Sequence, residues 1–485
     1  MRRLHLGLLI HLCLLASGPA AQASEALPAG RVGEHIRGYL DAVNADDGGG
    51  PARFRDNDIA TAFAESVPPT AFARYFTNLR HATGGVELVA VKMKTGSPDI
   101  AELALRDRIY GALHGLELTF EPDGEQRVTE FEPGPAPAWA LATTPKLSPD
   151  QIAAETEALV ERGCAAGVFS GAILVAHGDE VLVEAACGEA DKRHHVKNDV
   201  DTRFNLGSMN KMFTAVAVMQ LVDAGKVSLD DPLDKYVDES WLPNAVASRI
   251  TIRQLLAHRS GLGEFTSSDF RTAGRGLYRR LSDYKPLLSQ ATLAFEPGSR
   301  FSYSDLGMMF LGVVIEQASG EDYFDYVRVH VFAPAGMTRT GSYAQDEPTE
   351  DLAAGYGYAP DSPYGWRDNA ALSPFRGMPA GGGYSTVGDL YRFARALRNG
   401  TLVSGDSLRL LWARQPTANY GAGFEVHETA AGKIVGHSGL FAGVSTRLEL
   451  YLDKDYTAVV LGNIDAAAPT LMDALREPIA RAARR

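Results

Sequence analysis

The sequence predicts an α+β protein of two unequal domains, and three observations carry that prediction. Two amphipathic helical stretches lead into four strand-like runs within residues 28–132. A proline-rich segment, 133–147, then interrupts regular periodicity. Beyond it, in 148–485, two early strand patterns find their counterparts only near the C-terminus, with helical patterns filling the interval.

In the first domain, Val32, Ile36, Tyr39, Leu40 and Val43 recur at helical spacing, as do Phe72, Tyr75, Phe76 and Leu79. Strands are expected at Val86–Met93, Ile100–Leu105, Leu116–Phe120 and Val128–Phe131, with Gly84-Gly85 and Pro122-Asp123-Gly124 as turns. Helices followed by antiparallel strands at this length resemble the cone-shaped, nuclear-transport-factor-2-like domains; this part of the chain carries no catalytic motif. Pro133, Pro135, Pro137, Pro145 and Pro149 frame a linker expected to hold neither helix nor central strand. The second domain opens with a helix after Ser148. Strands follow at Gly171–Val175 and Glu180–Ala185, to be paired by Gly423–His427, Lys433–Gly436, Gly443–Tyr451 and Tyr456–Gly462. Helical patterns near 209–224, 251–258, 304–318, 323–332 and 386–398 should form a lobe over one sheet face, with a cleft between lobe and sheet.

At 485 residues and 45% apolar, the chain can bury more than one core. Its net charge of −13, with no basic block, argues against a nucleic-acid or anionic-membrane partner. Arg2-Arg3, the apolar stretch Leu4–Leu15 and Ala21-Gln22-Ala23 have the order of an export signal, residues 1–23, which places the mature protein in the periplasm or outside the cell. Cys13 lacks the small residues a lipid-anchor site would want before it, and no later segment has the length of a membrane span. Cys164 and Cys187 remain, either as a bridge, which an oxidising compartment permits, or as two buried thiols.

A serine hydroxyl is a poor nucleophile at neutral pH and needs a base within hydrogen-bond reach. In Ser208-Met209-Asn210-Lys211, a spacing of three at a helix start sets the lysine one turn on and on the same face. Burial and the positive helix end favour the neutral amine that takes the proton. Met209, Met212, Phe213, Val216 and Met219 continue as a buried helix. Ser282-Asp283-Tyr284-Lys285 has the same spacing but is set aside, because Pro286 biases Lys285 away from helical geometry and no long apolar run follows. Tyr303, delivered by a turn at Pro297-Gly298-Ser299, is a candidate proton relay or an interior tyrosine. His437-Ser438-Gly439 lies between two strand patterns, where Gly439 would let substrate approach the backbone, or is a plain turn.

Phe204–Lys211, Leu255–Leu262, Phe301–Asp305, Ala380–Thr386 and His437–Gly439 together, in that order within Ser148–Asp465, resemble the class C β-lactamase-like family of penicillin-recognising serine hydrolases. The resemblance implies an antiparallel sheet flanked by helices plus a helical lobe. By matching position it implies Ser208 as acylated nucleophile, Lys211 as base and Tyr303 as proton relay, with the backbone N–H groups of Ser208 and Leu440 as the oxyanion hole. Asp305, His437 and Gly439 would meet the substrate, a small molecule or peptide with an ester or amide bond. The His258 segment and Gly381–Gly383 are assigned to turns and packing.

Two departures bear on substrate. Asp305 replaces the usual asparagine and His437 the usual lysine, whose ionic hydrogen bond to a substrate carboxylate is worth about 1.5–3 kcal/mol. A histidine is mostly neutral at pH 7, so neutral or amine-bearing esters and amides are expected over anionic β-lactams. A carboxylate beside Lys211 would also favour the ammonium and blunt the base, which leaves a penicillin-binding-like receptor without turnover as the second reading. No Gly-x-Ser-x-Gly elbow and no His-Glu-x-x-His occurs, His194-His195 is read as a surface pair, and no metal, nucleotide or flavin is called for.

Overall fold

A computed structural model describes residues 27–45, 48–141, 145–263, 276, 278–359, 361–429 and 431–483. The export signal expected at 1–23 lies outside the described residues.

The N-terminal domain begins with α1 (Arg31–Asn44), α2 (Gly50–Asn57), α3 (Thr61–Ser66) and α4 (Pro69–Thr83). They precede an antiparallel sheet of β1 (Val86–Lys94), β2 (Ser97–Asp107), β3 (Leu113–Phe120) and β4 (Val128–Pro135), in that spatial order. Tyr39, Phe54, Phe72 and Phe76 form its aromatic centre, with rings 5.2–6.2 Å apart. A short helix, Ala138–Leu141, contradicts the expectation for the linker, with Pro137 just ahead of its first turn, where a missing N–H costs nothing. The strand β4 enters the same segment as an edge strand, which that expectation leaves open. Pro133 and Pro135 lie in it, paired with Leu116 and His114. Proline supplies no N–H, but β4 is the edge strand, where the outward side needs none.

In the second domain Ser148 caps α5 (Pro149–Ala165) through a reciprocal pair with Gln151. The sheet consists of β5 (Gly171–His177), β6 (Glu180–Cys187), β7 (Glu425–Thr429), β8 (Gly432–Phe441), β9 (Val444–Tyr451) and β10 (Tyr456–Gly462). It is antiparallel throughout, in the order β7-β8-β9-β10-β5-β6. Its two faces feed separate cores. Ala172 and Leu174 point to the helical lobe, whereas Ile173 and Val175 meet α5 and the C-terminal helix Ala467–Ala480. The lobe includes α6 (Asn210–Asp223), α7 (Ile252–Leu256), α8 (Asp305–Ser319) and α9 (Val387–Arg398). Residues 210–219 of α6 are all buried, which a helix apolar on every side requires. The C-terminal helix, here α10, also touches β3 and α4 and so ties the two domains together.

Cys164 and Cys187 are bridged, with Cα atoms 6.1 Å apart, joining the end of α5 to the end of β6. His194 and His195 are exposed and pair with Asp191 and Glu189.

Candidate active site

Ser208 sits in a 3₁₀ turn, Gly207–Met209, that runs directly into α6. One turn on, Lys211 is fully buried and its Nζ lies 3.0 Å from Ser208 Oγ. The same Nζ donates to the Ala380 carbonyl at 2.6 Å and lies 2.7 Å from Asp305 Oδ1. Nζ also sits over the Tyr303 ring, 4.7 Å from its centroid. Ser208, Lys211, Tyr303 and Asp305 therefore meet around one nitrogen.

The turn holding Ser208 is clamped between two extended segments. On one side Leu206 N–H donates to Gly383 O at 2.7 Å, and Gly382 N–H donates to Gly207 O at 3.0 Å. A side chain at Gly381 would begin 2.9 Å from Gly207 O, so this approach requires glycine. On the other side lies β8. A Cβ at Gly439 would fall 1.9 Å from Leu206 O and 2.4 Å from Thr446 Oγ1. The close approach expected of substrate at Gly439 is thus made by the chain's own Leu206 carbonyl. The absence of a side chain there lets the Ser208 turn dock on the strand.

The pairing of β7 with β8 ends at Glu425↔Gly436. Past that point Ser438 N–H donates to the Glu425 side chain at 3.0 Å. Backbone groups two residues apart share a strand edge, so Leu440 N–H points to the same side, where the edge has no strand partner among the described residues. A Cβ at Gly207 would lie 3.4 Å from that nitrogen, which puts it beside the Ser208 turn.

Beneath these groups runs a buried polar chain that the sequence did not reveal. His437 Nδ1 is 2.6 Å from Ser438 O and its Nε2 3.0 Å from Tyr420 Oη; His258 Nε2 is 3.1 Å from Tyr420 Oη; Ser304 N–H meets His258 Nδ1 at 3.2 Å. The two ends set every direction, because a carbonyl only accepts and a backbone N–H only donates. With both rings neutral, Ser304 N–H gives to His258, His258 Nε2–H to Tyr420, Tyr420 O–H to His437, and His437 Nδ1–H to Ser438 O. Burial holds both imidazoles below the usual histidine range. The Lys211 charge pushes His258 further, and for His437 the pull of Glu425 opposes burial. Burial works against the Glu425 charge in turn, yet His427, His437, Arg447 and Ser438 together hold that carboxyl well below the usual range.

His437 is consequently 2% exposed with both ring nitrogens spent on the protein, and it offers substrate no free donor. The His258 segment packs, as expected of it, and its ring also lies 4.3 Å from that of Tyr303. Lys285 is helical, contrary to expectation, since Pro286 occupies a first turn where its missing N–H costs nothing. Its Nζ nevertheless turns to the Trp241 ring, so this second Ser-x-x-Lys match forms no site.

A family model described as Beta-lactamase matches residues 152–480. Penicillin-binding protein 4* of Bacillus subtilis (strain 168) is 30% identical over 312 residues, 61% of this chain and 68% of that protein. The putative penicillin-binding protein PbpX of the same strain is 32% identical over 261 residues, 53% of this chain, and the match spans 62% of that relative's length. Among solved structures, a penicillin-binding protein from Bacillus halodurans aligns with a TM-score of 0.59 and 30% identity over 68% of this chain and 99% of that one. The D-amino acid amidase of Ochrobactrum anthropi SV3, complexed with L-phenylalanine amide, aligns with a TM-score of 0.56 and 25% identity over 69% and 95%.

Proposed function

The chain belongs to the β-lactamase family of serine hydrolases, and we propose that it is an exported enzyme that cleaves neutral or amine-bearing esters and amides through an acyl-enzyme. The observation that carries this reading is the buried Lys211 amine 3.0 Å from Ser208 Oγ. In the proposed cycle the neutral amine takes the Ser208 proton as Oγ attacks the acyl carbon. The Ser208 and Leu440 N–H groups receive the developing oxyanion, each contributing on the order of 3 kcal/mol. Tyr303, against the Lys211 amine, passes the proton to the leaving group, and water then releases the acid by the reverse proton path.

Substrate charge follows from the wall of the site. A neutral, fully bonded His437 supplies no cation for a substrate carboxylate, and Asp305, 37% exposed, presents a negative charge instead. D-Amino-acid amides and short peptides with a free amine fit that field, in keeping with the amidase among the similar structures. The disulfide supports a periplasmic or secreted location.

The test is Ser208→Ala assayed against p-nitrophenyl esters, D-amino-acid amides and a cephalosporin. The parent should turn over the first two best, and the variant should lose about 10⁴-fold or more in kcat. Turnover that survives the substitution, or a clear preference for the cephalosporin, overturns the reading. The Lys211–Asp305 ion pair favours one alternative, a penicillin-binding-like receptor with a disabled base. A fluorophosphonate probe separates the two, since only the enzyme should be labelled at Ser208.

A further inference from the structure

A cavity of about 610 Å³ lies between the two domains, walled by α1, α4 and the inner face of β2–β4 on one side and by α10 and the β8–β9 turn on the other. Its volume and mainly apolar, aromatic wall are those of small-molecule sites, which favour domain interfaces. It is not the Ser208 site. Gly439 faces the Ser208 turn, so by strand alternation the Leu440 side chain points to the opposite face of β8, toward the cavity. Leu440 and Phe441 are 59% and 39% exposed there, two large apolar side chains at one rim.

The polar groups in the wall are not neutral in their preference. Asp465 accepts from Gly443 and Tyr358 N–H groups, Asp473 is paired with Arg476, and His114 with Asp107, so these are engaged within the protein. Arg74 is exposed at the rim and has no carboxylate partner among the described residues. Deeper in, Tyr39, 1% exposed, and Tyr75 bring their hydroxyls within 3.3 Å of each other. Two hydroxyls that share one hydrogen bond leave one O–H proton unspent. Burial holds both phenols above their usual range, so each keeps its proton. What the wall still has to give is the Arg74 cation, the Asn78 amide and one phenol proton; what would use the cation and the phenol proton together is an acceptor-bearing anion.

We propose that this cavity binds an amphiphilic carboxylate, its apolar body against Leu116, Leu440 and Phe441 and its carboxylate on Arg74 and the tyrosine pair. Carboxylates of this kind are also the acid products of ester and amide hydrolysis, although the proposal does not depend on turnover.

The experiment is calorimetric titration of the full chain carrying Ser208→Ala with octanoate and octyltrimethylammonium below their micellar concentrations and 1-octanol below its solubility limit. One saturable octanoate site is expected, tighter than that for octanol, with no binding of the cation. Arg74→Glu, at an exposed position, should weaken octanoate by about tenfold or more and leave octanol unchanged. Ala442→Trp, which fills the cavity from the β8–β9 turn, should abolish both. No saturable binding, equal affinity for octanoate and octanol, an Arg74→Glu variant that binds octanoate like the parent, or binding that persists in Ala442→Trp would each overturn the proposal. Because turnover is absent throughout, these outcomes are independent of whether Ser208 is a nucleophile.

Discussion

Lys211 Nζ has three polar neighbours, Ser208 Oγ, Ala380 O and Asp305 Oδ1. As the ammonium it donates to Ser208 Oγ and Ala380 O and lies in ion-pair contact with the Asp305 carboxylate. As the amine it keeps the Ala380 bond and accepts from the Ser208 hydroxyl, the Ser208 bond alone reversing direction. One geometry thus serves both the resting and the reactive state, and Asp305 sets the balance between them. Asp305→Asn removes a negative charge 2.7 Å from Nζ, so the amine gives up its proton more readily. The ascending limb of the kcat/KM profile should move to lower pH by about one unit or more; a profile that stays in place would show that Asp305 does not govern the base. Tyr420 makes the second prediction at this scale. Tyr420→Phe leaves His258 Nε2–H and His437 Nε2 buried without partners, at about 1–3 kcal/mol each. Unfolding in urea should show that loss together with a fall in kcat/KM, and a variant as stable as the parent would mean the polar chain holds nothing. The Ser208–Lys211 pair was legible in the sequence because a spacing of three on a helix is a local fact. The Ala380 carbonyl was not, since it arrives from 169 residues away and any residue type supplies a carbonyl. Tyr420 carries no motif, and only the fold brings it between two histidines.

Among the elements, β8 has the most demanding position. One face docks the Ser208 turn through Gly439, the other lines the interdomain cavity through Leu440, and its free edge begins where β7 stops at Glu425. The strands of the sheet were readable from apolar runs between turn residues. The short helices α2 and α3 were missed, because eight and six residues hold too few apolar positions for a period to show. Pro137 misled in the other direction, since a proline just ahead of a first turn permits a helix, here Ala138–Leu141, whereas Pro133 lies in an edge strand, where proline is tolerated. The bridge between α5 and β6 could not be decided from the sequence, because it depends on a Cα separation that only the fold defines. It closes a loop with a sequence separation of 23, which predicts about 3 kcal/mol of stabilisation. Replacing both cysteines by serine should lower the melting temperature while leaving the geometry around Ser208 intact, because α5 packs on the sheet face opposite the lobe. A loss of kcat without a fall in melting temperature would contradict that separation of roles.

At the scale of the whole molecule, α10 packs in the core on one sheet face and touches the N-terminal domain, the sheet divides that core from the lobe core, and no helix among the described residues is long and apolar enough to cross a membrane. Into the lobe core the fold inserts His258 and His437, both buried and held below the usual histidine range, chiefly by desolvation. The consequence is a defined response to acid. In the unfolded chain each imidazole takes up a proton as pH falls below about 6.5, whereas in the folded protein it resists protonation until a lower pH. Between those limits the unfolded state binds more protons, so stability must fall as pH falls, by up to about 1.4 kcal/mol per pH unit for each histidine. Glu425 acts in the same direction at still lower pH. Its carboxyl is held well below its usual range, so the stabilisation it brings is present above about 4.5 and is lost as pH drops through the folded value. The urea midpoint measured from pH 7.5 downward should therefore be flat above about 7, then decline steeply from about 6.5. His258→Asn should flatten the slope between pH 6.5 and 5.5 even if the variant starts less stable. A midpoint constant from pH 7.5 to 5.5 would mean that the folded protein takes up as many protons as the unfolded chain, so that the two buried rings become charged in the fold over the same range. The directional hydrogen-bond chain from Ser304 to Ser438 could not then exist, because two protonated histidines have no acceptor nitrogen to offer it.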